Sequence, residues 1–134
     1  MGFNDAVIDD FRAHHGQITN GPFKGRSLLL LTTRGRRSGK QRTNPLAYTR
    51  DGERLVVIAS KGGAPNHPDW YRNLRAHPSV TVEIGPERFE ATASVARGAE
   101  RRRLYDAQSA RMPAFKEYQK RTSREIPVVT LERV

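Results

Sequence analysis

The nine residues Arg34-Gly35-Arg36-Arg37-Ser38-Gly39-Lys40-Gln41-Arg42 carry five cations, two glycines and a serine. That composition can wrap an anion. Glycine permits close backbone approach and unusual φ, exposed N–H groups form a concave donor set, and each guanidinium presents a fork matched to phosphate or carboxylate. A solvated turn and a contact to nucleic-acid phosphates are the competing readings of the same segment. No aromatic residue lies within it, so base stacking has no support there. A second stretch, Ala59-Ser60-Lys61-Gly62-Gly63, sets a hydroxyl, an ammonium and permissive backbone directly after an apolar run. Such a stretch suits an anion or the edge of a ring, and equally a plain polar loop. Just beyond it, Trp70, Tyr71 and Asn73 are fit to wall a planar molecule or to fill core. Later in the chain Met112, Phe115 and Tyr118 recur at three-residue spacing and share a helical face, either a lid or a packing stripe.

Other chemistries lack their residues. The chain has no cysteine, which excludes a disulfide framework, an iron–sulfur cluster, a thiolate zinc site and thiol catalysis together. His14, His15, His67 and His77 form no His-Glu-x-x-His pattern, so no metal is assigned and they read as solvated or capping side chains. The residue types of a Ser-His-Asp triad occur without a Gly-x-Ser-x-Gly elbow, which leaves hydrolysis without backing. Lys and Arg number 24 against 14 Asp and Glu, and the resulting charge of +10 on 134 residues calls for an anionic partner. Nucleic acid, an acidic membrane surface and a phosphate- or carboxylate-rich cofactor all meet that requirement. No apolar run approaches the ~20 residues of a membrane-spanning helix, and Met1 to Asp10 lack the pattern of a signal peptide. The expectation is a cytoplasmic protein, peripheral to a membrane at most.

The elements that must position these groups follow from periodicity. Phe3, Val7 and Phe11, with Ile8 adjacent, form the apolar face of a helix that ends near Gly16; Asp5, Asp9 and Asp10 make its other face acidic. That apolar face offers a surface for inserting into lipid, against which the aspartates would be repelled by an anionic headgroup. Arg26 to Thr33 reads as a buried strand followed by a loop. Asn44 to Thr49 and Arg54 to Ser60 flank Asp51-Gly52, a strong hairpin signal. Lys61 to Pro68 is a loop, and Asp69 to Ala76 a short helix capped by Asp69. Ser79 to Ile84 and Arg88 to Val95 alternate around Gly85-Pro86; Gly98 opens a helix to about Arg111, Pro113 restarts a helical turn or two, and Pro127 to Leu131 is a closing strand. About six strands joined mainly by hairpins predict an antiparallel barrel with outer helices, an α+β, mainly β, single domain over residues 1–134. Residues 1–17 would be the amphipathic helix, and 26–134 the barrel and its site. A parallel doubly wound sheet is disfavoured.

Taken in order, Thr33-Arg34-Gly35-Arg36-Arg37-Ser38-Gly39, Arg42-Thr43-Asn44-Pro45-Leu46, Ala59-Ser60-Lys61-Gly62-Gly63, Trp70-Tyr71-Arg72-Asn73-Leu74 and Ile126-Pro127 resemble the deazaflavin-dependent nitroreductase family. These are the split-barrel reductases that use coenzyme F420, and the likeness runs from about Leu29 to Val129. The resemblance implies an FMN-binding-like split barrel. It places Arg36, Arg37 and Ser38 at the phosphate and acidic tail of the coenzyme. Arg42, Thr43, Asn44, Pro45, Leu46, Ala47, Ile58, Ala59, Ser60 and Lys61 would run along it, with Asp69, Trp70, Tyr71, Arg72, Asn73 and Phe115 completing the site. A phosphodiester, a lactyl carboxylate and a polyglutamate tail make that coenzyme the kind of polyanion the charge calls for. The implied reaction is hydride transfer from the reduced deazaflavin to a small hydrophobic, electron-poor acceptor such as a quinone or nitro compound. Ser60 would donate to the charge developing on the acceptor oxygen, and Tyr118 would lie on the lid. One departure bears on the acceptor: Met112 and Phe115 stand where the nitroimidazole-activating branch has tyrosines, and neither donates a hydrogen bond. A flavin-mononucleotide split barrel and a non-catalytic nucleic-acid module are the alternatives, and the residues carry no signal of oligomeric state.

Overall fold

The computed structural model describes residues 3–134; the side chain of Phe3 lies outside the described residues. Seven strands, β1 (Leu28–Arg34), β2 (Gln41–Ala47), β3 (Thr49–Asp51), β4 (Arg54–Ile58), β5 (Ser79–Ile84), β6 (Glu87–Val95) and β7 (Val128–Arg133), form one sheet in the order β2-β1-β5-β6-β7-β4-β3. All pairings are antiparallel. The sheet curls until β2 comes near β4, the split-barrel arrangement. Four α-helices accompany it, α1 (Phe3–Ala13), α2 (Asp69–Ala76), α3 (Gly98–Arg111) and α4 (Ala114–Lys120).

The sheet has one strand more than alternation predicts. The run Asn44 to Thr49 breaks at Tyr48: Gln41–Ala47 pairs with β1, whereas Thr49–Asp51 pairs with β4 at the opposite end of the sheet. A chain turning a barrel corner keeps its polar–apolar alternation, so the pattern alone does not mark the corner. For the same reason Gln41 and Arg42, expected in a loop, already belong to β2.

Alternation sorts the core. Leu29 and Leu31, Leu55 and Val57, Val80 and Val82, Ala91 and Ala93, and Val129 and Leu131 face inward, and Trp70, Tyr71 and Leu74 of α2 pack with them. Leu28 and Leu30 face outward and meet Val7, Ile8, Phe11 and Ile18. A strand covered on both sides reads as an unbroken apolar run, as Leu28 to Leu31 does. Val56, Ile58 and Val128 face α3 and α4 through Leu104, Tyr105 and Phe115.

Helix α1 is fastened by its polar residues as well. Arg12 Nε and Nη2 donate to the two Glu83 carboxylate oxygens at 3.0 and 2.8 Å, a forked pair. Asp10 accepts the Thr19 hydroxyl at 2.6 Å and the Thr19 amide at 2.8 Å, bonds that hold its carboxyl below the usual range. The helix stops at Ala13, earlier than expected. Gly16 belongs to the following turn, where a Cβ would stand 2.5 Å from the Gly85 Cα atom, so only glycine lets that turn meet the β5–β6 turn. The apolar face expected to be available to lipid is turned inward, with Val7 and Phe11 buried. At the other end of the molecule Asp51 accepts from Arg103 Nη1 at 2.9 Å and from Arg54 Nη2 at 2.5 Å; these cations hold its carboxyl at about 2 and tie α3 to the β3–β4 hairpin.

Candidate functional site

Where the curled sheet fails to close, a groove of about 1370 Å³ runs between β2, the end of β4 with the turn that follows it, the first half of α2, α4 and the polar face of α1. Strand β2 sets its character. As an end strand it pairs only with β1, and its sequence passes from Gln41, Arg42, Thr43 and Asn44 to Pro45, Leu46 and Ala47. One wall is therefore polar at one end and apolar roughly 17 Å further on, at about 3.3 Å per residue.

The cationic turn between β1 and β2 is built on its glycines. The Gly35 amide donates to the Lys40 carbonyl at 2.7 Å and the Gly39 amide to the Gly35 carbonyl at 2.9 Å. A Cβ on Gly35 would lie 2.7 Å from Ser38 Oγ, and Gly39 has φ +71°. Ser38 Oγ accepts the Lys40 amide at 3.2 Å and so caps its own turn. Buried Asn73 braces the turn from α2: its Oδ1 accepts the Arg36 amide at 3.2 Å and Arg36 Nη1 at 3.4 Å, and its Nδ2 donates to Thr33 Oγ1 at 3.2 Å. Asp69 was expected to cap α2. Instead Pro68 occupies the N-cap without a side-chain bond, and Asp69 in the first turn meets Arg36 Nη1 at 3.6 Å. Arg36 is thus held in place, whereas Arg37, Lys40 and Arg42 are exposed and make no side-chain bond or ion pair among the described residues.

The turn after β4 is held by an arginine far away in sequence. Arg124 Nη2 donates to the Ser60 carbonyl at 2.7 Å, Nε to the Ala64 carbonyl at 2.9 Å, and Nη1 to the Ala59 carbonyl at 3.2 Å and to His67 Nδ1 at 3.0 Å. Because a guanidinium can only donate, His67 is neutral and carries its proton on Nε2. Partial burial, with the charges of Arg124, Arg72 and Arg75, pushes the His67 pKa below its ordinary value, in accord with that state. Ser60 has right-handed backbone and Lys61 left-handed, φ +48°, the pairing that turns successive N–H groups toward one side as an anion-binding nest. Gly63 closes the turn; a Cβ there would stand 2.7 Å from the Tyr118 carbonyl, so α4 can sit on the turn only over glycine. Tyr105 Oη donates to the Phe115 carbonyl at 2.5 Å and fixes the start of α4. Phe115 and Tyr118 then meet edge to face, ring centres 5.3 Å apart.

Of the residues expected at a site, Arg36, Arg37, Ser38, Arg42 through Ala47, Ile58, Ser60, Lys61, Asp69, Trp70, Asn73, Phe115 and Tyr118 all line this one groove. Ala59, Tyr71 and Arg72 do not. Ala59 and Tyr71 point into the barrel core, because strand alternation turns Ala59 inward and α2 plugs the barrel with its Tyr71 face. Arg72 is exposed on the outer side of α2. Met112 of the expected stripe ends α3 and lines a neighbouring cavity. The sequence reading missed Asn4, Ile8, Asp9 and Arg12 of α1, which line the groove as well, and it missed Arg124. Among the described residues there is no cluster of three or more metal-ligating side chains, and no helix is long and apolar enough to cross a membrane.

Comparison with known proteins agrees with this fold. The family model for F420H(2)-dependent quinone reductase matches residues 6–133. The chain is 39% identical to an F420H(2)-dependent quinone reductase of Mycobacterium tuberculosis, an alignment that takes in 99% of this chain and 89% of the relative. Among solved structures, an F420-H2 dependent reductase (FDR-A) superposes with a TM-score of 0.72 at 39% identity, over 78% of this chain and 93% of that one. Another, described as a domain-swapped dimer, gives a TM-score of 0.75 at 32% identity over 96% and 95% of the two chains. The chain belongs to the F420H(2)-dependent quinone reductase family, and its cofactor is coenzyme F420.

Proposed function

We propose that the groove holds reduced coenzyme F420 with its phosphate and acidic tail against Arg36, Arg37, Arg42 and Lys61 and its ring system along Pro45, Leu46, Ala47 and Ser60. A small hydrophobic, electron-poor acceptor of the quinone type enters beneath Phe115 and Tyr118. The observation that carries this reading is the pairing of Arg37, Arg42 and Lys61, which have no acidic partner among the described residues, with an uncharged wall in the same groove. Cations left open beside an apolar slot match a molecule that is anionic along one part and planar along another. At about 1370 Å³ the groove exceeds the ~300–1000 Å³ of ordinary small-molecule sites, which suits an extended coenzyme with an acceptor beside it.

When bound, the reduced coenzyme supplies the hydride. The protein's own part is orientation, exclusion of water and a hydrogen-bond donor. Ser60, buried at the rim of the groove and fixed through its carbonyl by Arg124, presents its hydroxyl to the oxygen on which charge develops. Phe115 and Tyr118 shield that oxygen from solvent. With Met112 outside the groove and no donor on Phe115, the acceptor end offers few hydrogen bonds, which favours a quinone over a nitroimidazole. Asp9, which also lines the groove, repels an acidic tail and so favours its seating on the Arg36–Arg42 turn. Any peripheral contact with a membrane would use the basic surface, since Val7 and Phe11 are packed in the core. Nucleic acid is disfavoured as partner because no aromatic residue lies in the cationic turn itself, and Trp70 and Phe115 of the groove are buried, so Arg37 and Arg42 have no stacking platform beside them in that turn.

The test is a turnover assay in which the purified protein is given reduced coenzyme and either menadione or a nitroimidazole while coenzyme reoxidation is followed. Menadione should be reduced well above the protein-free rate and in preference to the nitroimidazole. Reoxidation no faster than without protein, or a protein that copurifies yellow with flavin absorbance, would overturn the reading.

A further inference from the structure

Adjoining the groove, and sharing Phe23, Pro45 and Ala47 with it, is a second concavity of about 540 Å³, the size of an ordinary small-molecule site at ~300–1000 Å³. Three separate segments each bring a guanidinium to its rim: Arg26 ahead of β1, Arg50 on β3 and Arg111 at the end of α3. All three are exposed, and none pairs with a carboxylate among the described residues. Some arginines elsewhere do find acids, as Arg54 and Arg103 find Asp51, and Arg12 finds Glu83, whereas these three share one concavity without one among the described residues. Between the three stand Phe23, Tyr48 and Met112, with the Arg50 guanidinium 5.9 Å from the Tyr48 ring centre. The floor is firm, for buried Thr49 donates from Oγ1 to the Oε1 of fully buried Gln108 at 3.1 Å.

Each half of this lining rules out a simpler occupant. An inorganic anion would leave the aromatic and thioether surface unused, and a neutral hydrocarbon would leave the three guanidiniums without an anionic partner. An apolar planar body carrying an anionic group satisfies both. Tyr48 and Phe23 stack on such a body, Met112 adapts to its outline, and the guanidiniums fork onto its carboxylate or phosphate. We propose that this side pocket is a binding site for a hydrophobic aromatic anion, distinct from the cations that line the groove.

The test needs no coenzyme, so its failure and the failure of the coenzyme reading are separable. The purified protein is titrated calorimetrically with 2-naphthoate and with the neutral 2-naphthalenemethanol. Naphthoate should bind at least tenfold more tightly, and that preference should weaken as salt is raised. In the double variant Arg50→Gln/Arg111→Gln, whose glutamines keep much of the arginine stems, the preference should vanish while the neutral compound binds as before. In Arg37→Ala/Lys61→Ala the preference should persist. Met112→Trp, which fills the pocket, should weaken both compounds. Equal affinity for the two compounds in the unaltered protein, or a preference lost with Arg37 and Lys61 rather than with Arg50 and Arg111, would overturn the assignment.

Discussion

The turn after β4 and the turn between β1 and β2 are both shaped around guanidinium groups, and they differ in where the donors go. In the first, Arg124 directs its donors to the carbonyls of Ala59, Ser60 and Ala64 and to His67, so the cation is consumed within the protein and the turn becomes rigid. In the second, Asn73 and the glycines do the holding, and Arg37, Lys40 and Arg42 find no side-chain partner among the described residues. A satisfied arginine builds a wall; open ones beside that wall wait for an anion the chain does not supply. The contrast predicts that substitutions in the two turns will fail in different ways.

The largest effect should come from Arg124→Ala, which strips three carbonyls and an imidazole of a charged donor at once. At about 1.5–3 kcal/mol for a hydrogen bond to a charged group, the loss in urea unfolding should be on the order of 3 kcal/mol or more. Arg124→Lys should not restore it, because an ammonium lacks the planar fork. A variant that unfolds at the same urea concentration as the parent would erase the distinction between the two turns. Next, Ser60→Ala should lower kcat with a quinone by about a hundredfold, the usual scale for removing one donor to a developing oxyanion, with coenzyme affinity unchanged. A fall in affinity at constant kcat would assign Ser60 to coenzyme holding instead. Asn73→Leu tests the brace between the two regions. It removes the acceptor of the Arg36 amide and the donor to Thr33, and should cost about 1–3 kcal/mol of stability while loosening coenzyme binding several-fold.

The smallest effect is a pH dependence. His67 has a folded pKa below its ordinary 6.5, so as pH falls the unfolded chain takes up its proton first. Its contribution to stability is fully present above 6.5 and is lost as pH falls through the lower folded value. Urea midpoints should drop between pH 7.5 and 5, and His67→Gln, which keeps an acceptor for Arg124 without a titrating ring, should flatten that slope. An identical slope in the variant would remove His67 from the account.

Local chemistry made part of this legible in the sequence. The Asp51-Gly52 and Gly85-Pro86 hairpins and the Gly35-to-Gly39 turn are set by residues adjacent in the chain, and they fold where their glycines and alternation place them. Arg36 to Ser38, Arg42 to Ala47 and Ser60-Lys61, marked by such local chemistry, line one groove. What escaped depends on contacts at long range. Arg124 lies 57 to 65 residues from its acceptors, and nothing about Arg121-Thr122-Ser123-Arg124 signals that role. The sequence alone sets the acidic face of α1 only against a lipid surface, yet packing of Val7, Ile8 and Phe11 on β1 turns Asp9 and Arg12 to the groove. Ala59 and Tyr71 sit beside true lining residues in sequence, and the barrel core claims them because one step along a strand reverses the face and one step along a helix turns it by about 100°.

The central claim is that exposed cations of the groove, and not the folded scaffold, supply the affinity for the coenzyme. Its most direct test is fluorescence titration of the protein with reduced and oxidised coenzyme F420, comparing the parent with Arg37→Ala and Lys61→Ala. Each variant should unfold at the parent's urea concentration yet bind at least tenfold more weakly, with a shallower dependence on salt. Unchanged affinity in both variants would contradict the account.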